Sequence, residues 1–183
     1  MAARRRVASR FFALTSLSAL AIGSLVGCGS APEPAPTPTP VFVSEAQAFA
    51  AAEDVYRAYN DALNSIDPSD PETFEPVFEL SSGAFEKADR KNLSILHAER
   101  HSIAGDAVVL SFTGYSASPQ YQTVTARICL DVSAVQITDE NGASVVAPDR
   151  PEVYALDVTF ELQDDQFSID AAERSEESTC EGS

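Results

Sequence analysis

The sequence predicts an α+β domain in which N-terminal helices pack on one face of an antiparallel sheet. Between residues 44 and 99, apolar side chains recur every three or four positions, which is the period of amphipathic helices. From residue 101 onward, apolar side chains alternate with polar ones, which is the period of strands that bury one face. Helices followed by a run of strands are typical of the α+β class.

The first helix is predicted to begin after Ser44 and to extend over about 20 residues. Ser44 with Gln47 three residues later forms a capping box, which is typical of a helix N-terminus. The apolar stripe of this helix consists of Phe49, Ala52, Val55, Tyr56, Tyr59, Leu63 and Ile66. The Asp67-Pro68 pair breaks the pattern and is expected to end the helix.

Two further helical segments are predicted before the strands. Residues 72–80 form a short helix or turn with Phe74, Val77 and Phe78 inward, and Pro76 fits such a helix only in its first turn. Residues 82–99 form a second long helix. Its predicted buried stripe consists of Phe85, Ala88, Leu93 and Leu96.

The strand region begins near His101 and contains several alternating segments. In the first, Val108, Leu110 and Phe112 alternate with Val109, Ser111 and Thr113. Residues 122–132 and 153–162 alternate in the same way, and the turn at Asp164-Asp165 leads into a last strand with Phe167 and Ile169. Asn141-Gly142 is a strong signal for a hairpin turn.

This order of elements resembles the cone-shaped fold of the nuclear-transport-factor-2-like (NTF2-like) superfamily, which also holds ketosteroid isomerase and polyketide cyclases. The resemblance covers residues 44–172 and rests on the aromatic-bearing first helix, the Asp67-Pro68 break, a second helix and the long strands. It implies a sheet curved around the helices, with a concave space between them. It carries no catalytic residue onto this chain, because no local motif fixes the position of a family base.

The start of the chain resembles a bacterial lipoprotein signal. Four arginines within residues 1–10 precede an apolar run over residues 11–26, which is short for a membrane-spanning helix. Leu25-Val26-Gly27-Cys28 resembles the lipobox, in which the cysteine thiol receives a diacylglyceryl group before cleavage ahead of the cysteine. We therefore expect a signal peptide over residues 1–27 and a lipid anchor on Cys28.

A proline-rich tether and a single domain are expected to follow the signal. Residues 29–40 contain five prolines, which keep this segment out of helices and sheet interiors. We expect a lipidated tether over residues 28–43, a domain over residues 44–183, and localisation at the outer face of the cell membrane. The alternative is an ordinary secretory signal with a chance cysteine.

The charge of the chain excludes some partners. The 183 residues include 28 acidic and 12 basic side chains, giving a net charge of −16. Such a surface repels nucleic acid phosphates and anionic lipid headgroups, so nucleic acid is not an expected partner. We expect the membrane to be contacted only through the lipid anchor, and the acidic surface to serve solubility.

The two cysteines beyond Cys28 are expected to pair. Cys129 and Cys180 form an even pair in a compartment that favours disulfides. Cys129 has the parity opposite to the apolar side chains of its strand, so the bond is expected on the outer sheet face. The alternative is two free thiols.

His97 and His101 are the weak candidates for a metal site, being four residues apart. The order differs from H-E-x-x-H, and a helix that ends near Glu99 would separate the rings. We therefore expect two surface histidines, no metal and no cofactor.

The remaining candidates for chemistry are charged strand residues and aromatic helix residues. Arg127, Asp131, Asp157 and Glu161 have the parity of the outer sheet face, so a solvated surface is favoured over a catalytic base. Tyr56 and Tyr59 are either core residues or the lining of a pocket between helix and sheet.

Three functions remain open at this stage. The first, which we favour, is a non-catalytic, surface-tethered monomer that binds a protein or a small apolar ligand. The second is an extracytoplasmic enzyme of the cyclase or isomerase type, which would need a deep cavity containing a buried Asp, Glu or His. The third is a structural element of the envelope, which a filled cone would support.

Overall fold

The computed structural model describes residues 40–175 and residue 180. The first helix, α1, spans Glu45–Asn64, and the Ser44 hydroxyl caps it by accepting from the Gln47 backbone N–H at 3.3 Å. The Gln47 side chain accepts from the Val43 backbone N–H at 3.2 Å, so the segment before the helix is also fixed. The predicted helix start is therefore confirmed by its hydrogen bonds.

Two short segments and a second long helix follow. A 3-10 turn at Pro71–Phe74 leads into α2 at Glu75–Glu79, where Pro76 occupies the first turn as its missing N–H requires. The helix α3 spans Gly83–Ala98. It ends in a Schellman arrangement, in which the N–H of His101 donates to the Leu96 carbonyl and Arg100 adopts a φ of 56°.

Within residues 40–175, six strands follow and form two separate sheets. They are β1 at Ser102–Ala104, β2 at Val108–Ala117, β3 at Thr123–Asp131, β4 at Gln136–Thr138, β5 at Val153–Gln163 and β6 at Gln166–Arg174. The four long strands form an antiparallel sheet in the order β2-β3-β5-β6. The short strands β1 and β4 pair with each other as a separate two-stranded ribbon.

The core lies between α1, α2 and α3 and the inner face of the long sheet. Every second residue of β3 and β5 points into it, so Ala126, Ile128 and Phe160 have no exposed surface. Helix α1 contributes Ala48 and Ala52, which are also fully buried and allow close approach to the sheet. Each fully buried large apolar side chain contributes about 1.5–3 kcal/mol, so this shared interface stabilises the helices and the sheet together.

The predicted parity of β2 is wrong for Val108 and Leu110, which are exposed, while Val109 packs against the core in their place. Phe112 packs against the core as predicted. A register shift between Val109 and Ser111 leaves Leu110 without a partner on β3, so the alternation restarts one residue later. A second shift, between Gly114 and Ser116, adds a further irregularity to this edge strand.

The predicted fold class is confirmed: helices pack on one face of a curved antiparallel sheet, and together they form a cone. The predicted turns are also present. Asp164 and Asp165 both have positive φ in the hairpin between β5 and β6, and Gly142 has a φ of 80° in the turn after β4. Among the described residues, no helix is both long and apolar enough to cross a membrane.

Candidate ligand-binding cavity

A cavity of about 370 Å³ lies at one end of the cone. Its walls come from α1, α3, the inner face of the long sheet and the β1–β4 ribbon with its flanking loops. The volume is at the lower end of the range of about 300–1,000 Å³ that is typical of small-molecule sites. The cone is therefore not filled, which removes the observation that would have supported a purely structural role.

The lining of this cavity is almost entirely apolar. It includes Leu63 from α1, Leu93 and Leu96 from α3, and Leu130 and Leu156 from the sheet. Its polar side chains all come from α1, namely Tyr56, Tyr59, Asn60 and Asn64. Tyr56 and Tyr59 are 4% and 6% exposed, so they are both core residues and cavity residues.

Tyr59 is bound to a carboxylate. Its hydroxyl donates to Asp89 on α3, with oxygen distances of 3.0 Å and 3.1 Å to the two carboxylate atoms. Burial raises the pKa of Tyr59 well above its usual range, and the negative charge of Asp89 adds to this effect. Burial also raises the pKa of Asp89, although the hydrogen bond from Tyr59 partly opposes that shift.

Tyr56, in contrast to Tyr59, makes no hydrogen bond to a carboxylate. Its hydroxyl has no hydrogen-bond partner among the described residues. The hydroxyl oxygen is not completely buried, because His101 Nδ1 is the only side-chain polar atom among those residues that is both completely buried and unpartnered. Tyr56 lines the cavity, which makes its hydroxyl the candidate hydrogen-bond donor for a ligand there. Burial raises the pKa of Tyr56 well above its usual range, so the hydroxyl keeps its proton at neutral pH.

The two asparagines hold the loop between β1 and β2 against α1. The amide nitrogens of Asn60 and Asn64 both donate to the Ala107 carbonyl at 2.9 Å. The Ala107 N–H donates to Asn64 Oδ1, also at 2.9 Å. Because a carbonyl can only accept, these bonds fix the orientation of both amides and leave Asn60 Oδ1 without a partner among the described residues.

The structure contains the predicted disulfide. Cys129 on β3 is bonded to Cys180, and their Cα atoms are 5.7 Å apart. Cys129 alternates with Ile128, which is buried, and Leu130, which lines the cavity, and it pairs with Ala155 on β5, so the bond lies on the outer face of the sheet. Cys28 lies outside the described residues, and its lipidation stays a prediction.

The histidines occupy a different site from the cavity. Both border an open groove of about 790 Å³, with His97 Nδ1 at 2.7 Å from the Pro68 carbonyl oxygen. Helix α3 ends at Ala98, between the two residues, so His97 and His101 do not share a helix face. Within the described ranges no group of three or more potential metal ligands occurs.

The expectation of two surface histidines is wrong for His101. The His97 residue is exposed, but the His101 side chain is only 11% exposed and its Nδ1 atom is buried without a partner. The reason is the Schellman turn, which folds the chain back after Arg100 and turns His101 towards the body of the domain. His101 Nε2 lies 3.4 Å from Glu99.

The charged strand residues lie on the outer sheet face, as their parity predicted. Arg127 on β3 and Asp157 on β5 form a two-pronged ion pair at 2.9 Å and 3.1 Å, and the Thr123 hydroxyl donates to Glu161 at 3.1 Å. Hydrogen bonding from Ser133, whose backbone N–H donates to Asp131 Oδ1 at 2.8 Å, lowers the pKa of the partly exposed Asp131. None of these four charged residues lines the cavity.

Sequence reasoning missed Asp89, Asn60 and Asn64. Asp89 occupies the inward position that the prediction gave to Ala88, which is exposed. The available signal was the spacing Phe85, Asp89, Leu93, which places an acid on the buried stripe of α3. Asn60 and Asn64 are likewise one helical turn apart, beside the tyrosines.

No protein-family model matches the chain, and no curated protein sequence matches it. Among solved structures, the intermembrane-space region of the chloroplast protein ARC6 is 14% identical at a TM-score of 0.49, covering 69% of this chain and 95% of that one. A candidate aromatic ring hydroxylase from Novosphingobium aromaticivorans is 10% identical at a TM-score of 0.48, covering 72% and 96%.

A candidate polyketide cyclase from a Silicibacter species is 12% identical at a TM-score of 0.37, covering 70% of this chain and 91% of that one. At these values the likenesses carry no argument about function. The fold and the site themselves define an α+β cone with one open, apolar cavity at the end covered by the β1–β4 ribbon.

Proposed function

We propose that this chain is a membrane-anchored, extracytoplasmic lipoprotein whose domain binds a small, mostly apolar molecule in the cone cavity. The observation that carries the binding proposal is a cavity of about 370 Å³ whose walls are apolar apart from one stripe of α1. Burying apolar ligand surface there would contribute roughly 25 cal/mol per Å² before the costs of association. Concave, apolar sites with a few convergent polar groups are the usual form of small-molecule sites.

Binding is favoured over catalysis by the kinds of side chain in the cavity wall. A cyclase or isomerase needs a group that moves a proton at the reacting atoms, and His, Asp and Glu usually perform that step. The lining that the described residues form contains no His, Asp or Glu. Asp89 lies behind Tyr59 and is not part of the lining, and it accepts the hydrogen bond of the tyrosine hydroxyl.

The lipoprotein part of the proposal is supported by the basic start, the apolar run and the Leu25–Cys28 motif together. The Cys129–Cys180 disulfide also favours an oxidising compartment outside the cytoplasm. Two or more acyl chains on one residue hold a protein firmly at a membrane, since each buried CH₂ contributes about 0.8 kcal/mol.

Ligand binding can be tested with the neutral dye N-phenyl-1-naphthylamine, whose fluorescence rises in apolar surroundings. We expect saturable binding of one dye per domain. Ala172→Phe places a ring in the cavity and should weaken the affinity at least tenfold. Ala171→Phe is the matched control, because the neighbouring residue on β6 points to the opposite sheet face, beside Thr159.

Leu63→Phe narrows the same cavity from α1 and should also weaken dye binding. It provides a second variant in case Ala172→Phe unfolds, which thermal melting would reveal. Absence of saturable binding to the wild type, or equal weakening by the Ala171 and Ala172 variants, would overturn the cavity proposal.

Anchoring can be tested by membrane fractionation of cells that express the full chain. The wild type should partition with membranes and label with a radioactive fatty acid. Cys28→Ser should lose the label and either remain unprocessed or leave the membrane fraction. A Cys28→Ser protein that is cleaved normally and stays membrane-bound would contradict the lipid anchor.

A further inference from the structure

Some polar atoms of the cavity lining already have hydrogen-bond partners within the protein and others do not. This difference determines the kind of ligand that fits. Asn64 uses both its amide atoms on Ala107, and Asn60 uses its nitrogen on the same residue. The Tyr59 hydroxyl donates its hydrogen bond to Asp89. The remaining uncommitted groups are the Tyr56 hydroxyl and Asn60 Oδ1.

The two residues that carry these groups lie one turn apart on the same helix. Tyr56 and Asn60 are four residues apart on α1, so they lie one above the other on the same face. The Tyr56 hydroxyl supplies a proton, and Asn60 Oδ1 supplies an acceptor. Such a pair matches a ligand group that both accepts and donates one hydrogen bond, which is the chemistry of an alcohol or a phenol.

The electrostatics of the site favour an uncharged ligand. Among the described residues, no Lys, Arg or His lines the cavity, so a ligand carboxylate or phosphate would lose its hydration without gaining a counter-charge. The net charge of −16 also repels an approaching anion. The described lining contains no Asp or Glu either, so a ligand ammonium group would be buried without a partner.

We infer that the ligand class of this cavity is a compact, uncharged, mostly apolar molecule with one hydroxyl group, which accepts a hydrogen bond from Tyr56. This inference rests on the proposed function, because it specifies the occupant of the same cavity. Asn60 Oδ1 then accepts a hydrogen bond from the ligand hydroxyl. The apolar body of the ligand lies against the leucines of α3, β3 and β5.

Three probes of similar shape separate the inference from the proposal on which it rests. They are 1-naphthol, 1-methylnaphthalene and 1-naphthoate, with affinities measured by displacement of the dye and by calorimetry. An apolar cavity without a partner for a hydroxyl prefers 1-methylnaphthalene, since burying an unpaired hydroxyl costs free energy. We expect the wild type to bind 1-naphthol at least as tightly as 1-methylnaphthalene, and 1-naphthoate at least tenfold more weakly.

Tyr56→Phe removes the hydroxyl and keeps the ring. We expect its affinity for 1-naphthol to fall about tenfold, which is the upper range for one lost hydrogen bond, while its affinity for 1-methylnaphthalene changes less than twofold. Tyr115→Phe is the matched control, because Tyr115 is 52% exposed and lies beside Arg127 on the outer face. That variant should leave both affinities unchanged.

Each outcome separates the two claims. Failure of the wild type to bind any of the three probes overturns the cavity proposal and the inference with it. Tight binding of 1-methylnaphthalene with weak binding of 1-naphthol leaves the proposal standing and overturns the inference. An equal loss of both affinities in Tyr56→Phe assigns Tyr56 a packing role and likewise overturns the inference, as does tight binding of 1-naphthoate.

Discussion

Asp89 combines two environments that act oppositely on its charge. Its partial burial between α1 and α3 disfavours the carboxylate, while the Tyr59 hydroxyl at 3.0 Å favours it. Burial has the larger effect, so the pKa of Asp89 lies above its ordinary value. The hydrogen bond from Tyr59 thus reduces the free-energy cost of burying the Asp89 carboxylate behind the cavity wall, on the otherwise apolar face of α3.

The raised pKa of Asp89 predicts a pH dependence of stability. Over the interval from about pH 4 up to the raised pKa, the folded protein holds a proton that the unfolded chain has released. The stabilising contribution of this group is therefore complete below about pH 4 and is lost as the pH rises through the folded pKa. Asp89→Asn cannot titrate, so its free energy of unfolding relative to the wild type should increase over that interval.

Urea unfolding at a series of pH values measures this difference. Asp54→Asn, at an exposed position on α1, controls for the loss of one negative charge. If the curves for Asp89→Asn and the wild type stay parallel across the interval, the burial of Asp89 does not perturb its titration and the argument fails.

At the scale of elements, the β1–β4 ribbon depends on side chains for its attachment. In the part of the chain that the structure describes, its backbone pairs only within itself and with the turn that follows β4. Asn60 and Asn64 therefore make the polar side-chain links from α1 to its flanking loop there. Arg150 holds the other side, donating to the carbonyls of Val132 and Val135 at 2.8 Å. The ribbon covers the cavity, so these links also fix the shape of the cavity.

Asn64→Ala should therefore destabilise the domain by about 1–3 kcal/mol. The Ala107 carbonyl keeps its bond from Asn60, but the Ala107 N–H loses its partner. Asn92→Ala on the exposed face of α3 makes the same change in helix propensity and should stay within about 0.5 kcal/mol of the wild type. Denaturant unfolding and amide exchange at Ala107 measure the effect, and equal stabilities of the two variants would contradict it.

The elements that were predictable are those whose sequence pattern is local and long. Helix α1 has a cap and a stripe of apolar residues over five turns, and β3 and β5 alternate without interruption. The β2 parity was not predictable, because the shift at Leu110 depends on its pairing with β3. The ribbon was not predictable either, since strands of three residues are too short to show a period.

The candidate site was predictable only in part. Tyr56 and Tyr59 stood out as aromatics on the stripe of α1, but whether they line a cavity depends on how far the ribbon stands from the helices. Which polar atoms have a hydrogen-bond partner depends on pairs of residues that are remote in sequence, such as Tyr59 with Asp89 and Asn64 with Ala107. No local pattern contains that information.

At the scale of the whole molecule, the disulfide links the segment after β6 to the middle of the sheet. Its sulfur atoms join Cys129 on β3 to Cys180, 51 residues later. The loss of this cross-link should lower the free energy of unfolding by about 4 kcal/mol in the chain-entropy account. The double variant Cys129→Ala, Cys180→Ala compared with the oxidised wild type in urea measures it, and a loss below about 1 kcal/mol would show that the bond constrains little.

The same sheet face bears on self-association. Val108 and Val153 are exposed on the outer face, and Asp131 lies between them in register on β3. The hydrogen bonds from Ser133 lower the pKa of Asp131 and keep it ionised. In a symmetric dimer formed through this face, the Asp131 carboxylates of the two copies would come together between the exposed valines, and their repulsion is unfavourable.

We therefore predict that the domain is a monomer and that Asp131→Val promotes self-association. The substitution joins Val108 and Val153 into a continuous apolar strip across three strands, which is the kind of surface that pairs with a second copy. Asp131→Asn keeps a polar group and the hydrogen bonds to Ser133, so it separates the loss of charge from the gain of apolar surface. Sedimentation velocity at low micromolar concentration should show monomers for the wild type and a larger species for Asp131→Val, with Asp131→Asn in between. A stable wild-type dimer that forms through the sheet face would contradict the prediction, because the charge of Asp131 would then not prevent the contact.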